Sequence, residues 1–170
     1  MIVNSHYIAD LHFGHSDNIL KWRPDFTSVE NMELTIVDNI NSIVRTNDKL
    51  FLLGDIVISR SGFKSFDKIL CENIYLILGN HDNEREGITF RDWSDRVRNI
   101  RSSIDFKIDK HSIVLSHIPV HMESNPRWDY NIHGHLHDVV INDPRYINVS
   151  CEQIGYKPVN KKQILEIINS

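Results

Sequence analysis

The first half of the chain alternates between short apolar runs and stretches with helical spacing. "IVNSHYIAD" is a β-prone run that stops at an acid; "KLFLLGD" and "IYLILGNHD" are apolar runs that stop at Gly-Asp and Gly-Asn-His-Asp. Short apolar runs closed by turn formers suit strands buried in a parallel sheet. Between Ser28 and Val44, apolar residues fall at 29, 32, 36, 40, 43 and 44, which predicts a helix capped by Thr27 or Ser28. "SDNILKW" predicts a shorter helix capped by Ser16 or Asp17. "FKSFDKILCEN" predicts another between the second and third strands, completing a βαβ unit. The second half changes character. "SSIDFKI" and "HSIVLSH" read as two strands around a tight Asp-Lys turn, and "NIHGHLH" and "RYINVSC" as further strands. "NKKQILEIINS" reads as a closing helix with Asn160 as its cap. The order predicts an α/β fold of two packed sheets with helices outside, one sheet partly parallel.

Size and charge narrow the picture. The 170 residues predict one domain, 1–170, with a core of its own. Net charge is −4 and the basic residues are scattered, which argues against a dedicated nucleic-acid patch but leaves a local groove open. Cys71 and Cys151 are far apart and predict two reduced, packed thiols of a cytosolic protein. No apolar run approaches the ~18 residues of a membrane span, and the opening residues lack a basic leader pattern. A cytoplasmic protein with no membrane partner is expected.

The chemistry collects where strands end. Strand one runs into Asp10 and His12, the second into Asp55, the third into Asn80, His81 and Asp82. "VLSHIP" supplies His117, and "NIHGHLHD" holds His133, His135 and His137, three of the ten histidines. Open α/β sheets place ligand sites at the carboxyl ends of their strands, so these elements can deliver to one crevice. Carboxylate, amide and imidazole donors without thiolate suit Mn, Fe, Zn, Ni or Co and argue against a purely structural zinc. The donors suffice for two ions. Asp10 and His12 are two apart, as are His135 and His137, which puts each pair on one side of an extended chain. Gly134 allows a bend that turns His133 away. Each residue alone has an ordinary reading: His12 as a core histidine, Asp55 as a helix cap, Asn80 and Asp82 as turn formers. "HGHLH" alone reads equally as a surface metal-scavenging tract. Five such places in order do not sustain the ordinary readings.

The ordered set "DLH", "GD", "GNHD", "SH" and "GHLH" resembles the calcineurin-like metallophosphoesterases and spans Asp10 to His137. "DLHFGHSDNILKWRP" and "GYKPVN" are similar to a small bacterial and phage branch of that family. The resemblance implies a four-layer αββα sandwich of two mixed sheets flanked by helices. It implies that Asp10, His12 and His137 hold one divalent metal, that Asn80, His117 and His135 hold the other, and that Asp55 bridges them. His81 would bind no metal but would face the substrate and protonate the leaving oxygen. Manganese heads the candidate metals, with Fe, Zn, Ni or Co as others. Two ions about 3.5–4 Å apart turn a bridging water into a nucleophile and neutralise phosphoryl oxygens.

Two departures from the family stand out. Many relatives continue Gly-Asp into a second acid that orients the catalytic histidine; Ile58 stands at that position here. The arginine that follows that acid in protein phosphatases is replaced by Ser59, with Arg60 one position off, which speaks against phosphoserine substrates. Around the site, His15 is a substrate-side candidate or a loop cap. Arg23 can hold a phosphate oxygen in bidentate fashion or form a surface ion pair. "HMESNPRWDYN", residues 121–131, is expected beside the metals, with Arg127, Trp128 and Tyr130 able to stack on a base or hold a phosphate, and Trp128 equally able to pack. Arg85 is a weaker candidate; His6 and His111 read as structural or exposed. The expected function is hydrolysis of phosphodiesters, nucleotide or nucleic-acid derivatives among them, at an open site in the cytoplasm of a bacterium or phage-infected cell, by a monomer or small homo-oligomer. The alternatives are a phosphomonoesterase or nuclease of the same family, or a non-catalytic, metal-stabilised binding module.

Overall fold

The structure, a computed structural model, describes residues 3–82 and 87–170. In chain order the elements are β1 (Ser5–Ile8), α1 (Val29–Ile43), β2 (Lys49–Leu53), α2 (Phe63–Phe66), β3 (Asn73–Ile77), α3 (Phe90–Ser94), β4 (Asn99–Arg101), β5 (Ser103–Ile108), β6 (His111–Ser116), β7 (Tyr130–His133), β8 (Tyr146–Asn148), β9 (Val159–Asn160) and α4 (Lys161–Ile168). One sheet has the order β4-β3-β2-β1-β9, parallel except for β9; the other has the order β5-β6-β7-β8, parallel except for β5. The two mixed sheets pack face to face with helices flanking, an αββα sandwich.

Alternation along the strands builds the layers. Ile8, Leu50, Leu52, Ile74 and Leu76 face the helices and pack with Met32, Ile36 and Ile40 of α1, Phe63 and Phe66 of α2, and Trp93 of α3. Their neighbours Tyr7, Phe51, Leu53 and Ile77 face the second sheet and meet Ile108, Ile113, Leu115, Ile132 and Ile147. Helix α1 is marginal on its own at this length. Burying its apolar stripe, at about 1.5–3 kcal/mol per side chain, fixes it against the sheet. Its start is sealed by Ser28, whose hydroxyl accepts from the Asn31 amide at 3.1 Å. Asn160 caps α4 in the same way, with Gln163 returning the bond.

Three expectations are corrected. The helix over "FKSFDKILCEN" is only one turn, Phe63–Phe66. Past it the Asn41 amide captures Lys68 O and Leu70 N, both at 2.9 Å, and pulls the chain off the helical path. "SDNILKW" forms a 3-10 turn, Asp17–Lys21, with no side-chain bond from Ser16. The strand in "NIHGHLH" ends at His133. Strands β4 and β9 and helix α3 are too short to leave a periodic signal.

The sandwich is stitched together at one end. Beyond β1 and β8, Ala9 N donates to Val149 O at 2.9 Å and Cys151 N to Ala9 O at 3.1 Å, a parallel bridge between the sheets. Gly134 N donates to His117 O at 3.0 Å, tying the exits of β6 and β7. The carboxyl ends of β1, β2, β3, β6, β7 and β8 converge there. Both thiols are buried and free. Among the described residues, no helix is long and apolar enough to cross a membrane.

Candidate metal centre

The residues at these strand ends sit on unusual backbone. Asp10, His12, Asp55, His135 and His137 all have positive φ, between 50° and 70°. Among described non-glycine residues only Asp109 and Tyr156 share that region. Each such position costs roughly 1–3 kcal/mol, and such strain concentrates at functional sites. The expected arrangement, Asp10 with His12 and His135 with His137 on extended strands, is therefore wrong. Left-handed residues after β1, β2 and β7 turn these side chains, bringing Asp10 and His12 into one group while His135 and His137 serve different ones.

Dense backbone bonding holds these segments. Asp10 N donates to Gly54 O at 3.0 Å and His12 N to Asp55 O at 3.1 Å. His135 N donates to the Asp10 carboxylate at 2.9 Å. Asp82 is a buried strut: its carboxylate accepts from Asp55 N, Gly79 N and Ile56 N at 2.7, 2.9 and 2.9 Å. Burial pushes its carboxyl up to about 6 despite these donors. Gly134 has a clear steric reason, since a side chain there would collide with Ala9 and the Asp10 carboxylate.

Two donor groups result. Ligand atoms of Asp10, His12 and His137 lie within 4.8 Å of one another, and so do those of Asp55, His117 and His135. The groups adjoin, as the bonds joining Asp10 to His135 and His12 to Asp55 show. Asn80 Oδ1 lies 3.1 Å from His117 Nε2, so the amide faces the second group. His81 stands over both, its ring 6.1 Å from that of His12 and its Nε2 3.8 Å from Asp55 Oδ2. Its backbone N donates to Asp55 Oδ1 at 2.9 Å.

Divalent ions fit this donor set. Asp10 Oδ1 and both ring nitrogens of His12 are buried without a hydrogen-bond partner. Unsatisfied buried acceptors are costly unless a cation meets them. His117 carries the same signal. Its Nδ1 is 2.8 Å from Leu53 O, so the neutral ring donates there and keeps a lone pair on Nε2. That lone pair faces Asn80 Oδ1 at 3.1 Å and Asp55 Oδ1 at 3.4 Å, acceptor against acceptor. A proton or a metal ion resolves the conflict. Burial opposes the charged ring, but Asp55 outweighs it and raises His117, while His117 in turn holds Asp55 down to about 2 against burial. Burial pushes His12 and His135 down, leaving them neutral as metal ligands must be.

Sequence reasoning missed Glu152. Its Oε1 sits 3.0 Å from His137 Nδ1 and 2.8 Å from Arg23 Nε. The carboxylate thus fixes the His137 ring, which lies 5.0 Å from that of His12, and leaves Nε2 free to act as a ligand. Burial works against the charge, but the His137 bond and the Arg23 charge hold Glu152 at about 2, and the Glu152 bond in turn raises His137. Arg23, expected at a phosphate, is instead fully buried. Its guanidinium donates to Asp10 O at 2.5 Å, Leu11 O at 3.1 Å and Glu152. It clamps the coil that carries Asp10 and cannot reach a substrate. Only the position of Glu152, shortly after "INVS", hinted at a sixth strand end.

The remaining candidates separate. His15 lines a cleft of about 410 Å³ with His12 and His137. A second cleft, of about 350 Å³, is lined by Asn80 and His117 with Ser102, Ser103 and Ile118. Arg127 is exposed and lines neither cleft. Arg60 is taken up by Asp92 at 2.8 Å. His133 is buried, its Nδ1 at 2.9 Å from Gly134 O, and belongs to neither donor group. His6 is buried against Asp48. Arg85 lies outside the described residues.

The fold and the paired donor groups define an α/β sandwich whose carboxyl edge gathers two groups of residues that could hold metal ions. A protein of unknown function from Aquifex aeolicus shares the fold at a TM-score of 0.80 and 22% identity, covering 98% of this chain and 100% of that one. An archaeal phosphodiesterase matches at a TM-score of 0.51 and 20% identity, covering 93% of this chain and 98% of that one. No protein-family model matches the chain. An uncharacterised protein of Methanocaldococcus jannaschii is 32% identical over 173 residues, covering 95% of this chain and 89% of that protein, and the chain belongs to its family.

Proposed function

We propose that this protein is a metal-dependent phosphoesterase of the calcineurin-like kind, acting on phosphodiesters. One observation carries the reading: two adjoining donor groups, Asp10/His12/His137 and Asp55/His117/His135, form at converging strand ends, with every member but His117 on left-handed backbone. The fold shared with an archaeal phosphodiesterase supports it. Asp10, His12 and His137 would hold one ion, and His117, His135 and Asn80 the other, with Asp55 between them. Two divalent ions so held, manganese first among them, supply a nucleophile from water at neutral pH and neutralise phosphoryl charge.

The chain's own residues do the rest. His81 carries a proton at Nε2 to the leaving oxygen. Ile58 replaces the orienting acid, and Asp55 instead fixes the His81 backbone by accepting its N–H at 2.9 Å. The clefts on either side favour a diester. One opens beside His12 and His137 and the other beside Asn80 and His117, leaving room for an ester group on each side of a central phosphate.

Turnover of bis-p-nitrophenyl phosphate against p-nitrophenyl phosphate by manganese-loaded protein tests this. The diester is expected to be the better substrate. His81→Ala is expected to lower kcat by roughly 10²–10⁴-fold with metal content unchanged. Protein carrying two ions per chain that cleaved neither ester would be a binding module instead.

A further inference from the structure

The cleft beside His12 and His137 has a composition that the metal centre does not require. Ile19, Leu136 and Val139 wall it, and Trp22 stands at its rim. Trp22 is 79% exposed and Val139 58%. The indole is not on a loose loop. Trp22 N donates to Ile19 O at 3.0 Å, and the next residue, Arg23, is fully buried and pinned by Asp10 O, Leu11 O and Glu152. A rigid segment thus presents a large aromatic face to water beside the reaction centre. The volume, about 410 Å³, suits a small organic group.

The polar groups in the cleft select its character. Asp138 and Glu152 contribute carboxylates to its lining. Carboxylates repel a second phosphate and welcome N–H donors. A neutral, planar ring carrying amino groups meets both demands: its face can stack on the indole and its edge can donate to acid.

We propose that this cleft is a nucleobase subsite, in which an amino-bearing base of a nucleotide phosphodiester stacks on Trp22 while its phosphate lies at the metal centre. The proposal rests on the phosphoesterase reading and names the substrate class. Base–aromatic stacking is sequence-tolerant and adds on the order of tenfold in affinity.

Calorimetric titration of the manganese-loaded full chain with adenosine 5′-monophosphate and with ribose 5-phosphate isolates the base, because the two share phosphate and sugar. The nucleotide is expected to bind about tenfold more tightly. In Trp22→Ala that advantage should vanish while ribose 5-phosphate binds as before; in Trp22→Phe, which keeps an aromatic face, most of it should return. Equal affinity of the two ligands for the wild type, or an advantage that survives Trp22→Ala, overturns the subsite and leaves the phosphoesterase reading standing. Failure of both ligands to bind, together with no cleavage of bis-p-nitrophenyl phosphate, overturns both. Sedimentation velocity completes the test: a dimer that Trp22→Ala splits, with nucleotide affinity unchanged, would assign the indole to a second copy of the chain.

Discussion

Arg23 and Glu152 show how much of a candidate metal site lies behind the residues that could hold the ion. The buried arginine neutralises Glu152, and Glu152 fixes the ring of His137. Removing a partner that orients a metal-binding histidine typically costs 10–100-fold in metal affinity. Glu152→Gln is therefore expected to weaken metal binding by about 10–100-fold in calorimetry, while the far-UV spectrum stays native. The same substitution carries a pH signature. Glu152 titrates at about 2 in the folded protein against its ordinary 4.5, so the folded state binds fewer protons than the unfolded chain between those values. Its stabilisation is full above about pH 4.5 and is lost as pH falls toward 2. Denaturant titrations of metal-free wild type and Glu152→Gln should differ near pH 5 and converge near pH 2. A gap that widens on acidification would contradict the assignment.

At the scale of elements, the left-handed residues in the coils after β1, β2 and β7 set the site. The coil after β7 passes so close to β1 that Gly134 has no room for a side chain. Gly134→Ala should cost about 1–3 kcal/mol from overpacking, read as a lower denaturation midpoint. It should also weaken metal binding at Asp10, whose carboxylate the new methyl would displace. A variant as stable as the wild type with unaltered affinity would show that β7 can shift without disturbing the site. These coils were illegible because helix and strand periods report only regular backbone. Residue type and order mark the pairs Asp10/His12 and His135/His137, but two-residue spacing implies extended backbone, which these positions do not have. Helix α2 was overextended for a related reason, since a tertiary partner, Asn41, ends it.

At the scale of the whole molecule, both sheets send parallel strands to the same edge, and the two donor groups meet there. Ions bound between the sheets should stabilise the assembly by mass action, by about 2.7 kcal/mol at a hundredfold excess over Kd. For a chain of this size that corresponds to a rise in Tm of roughly 5–10 °C on manganese addition, reversed by chelator and readable by scanning calorimetry. An unchanged Tm would mean that the donor groups bind no ion at that concentration. Alanine at His117, which serves the second group, should remove part of the shift rather than all of it, because the first group stays intact.

The sequence alone determined the layers and the polar edge. Apolar runs specified the central strands, periodicity specified α1, and the Asp, Asn and His residues at strand ends marked one polar edge, because burial pattern and residue chemistry are local properties. Tertiary structure decided what depends on neighbours distant in the chain. It placed Arg23 inside rather than at a phosphate and brought Glu152 to His137 across 15 residues. It also gave Trp22 a cleft to overlook. A side chain's role follows from which acceptors the fold sets within about 3 Å of it, and no periodicity encodes that distance.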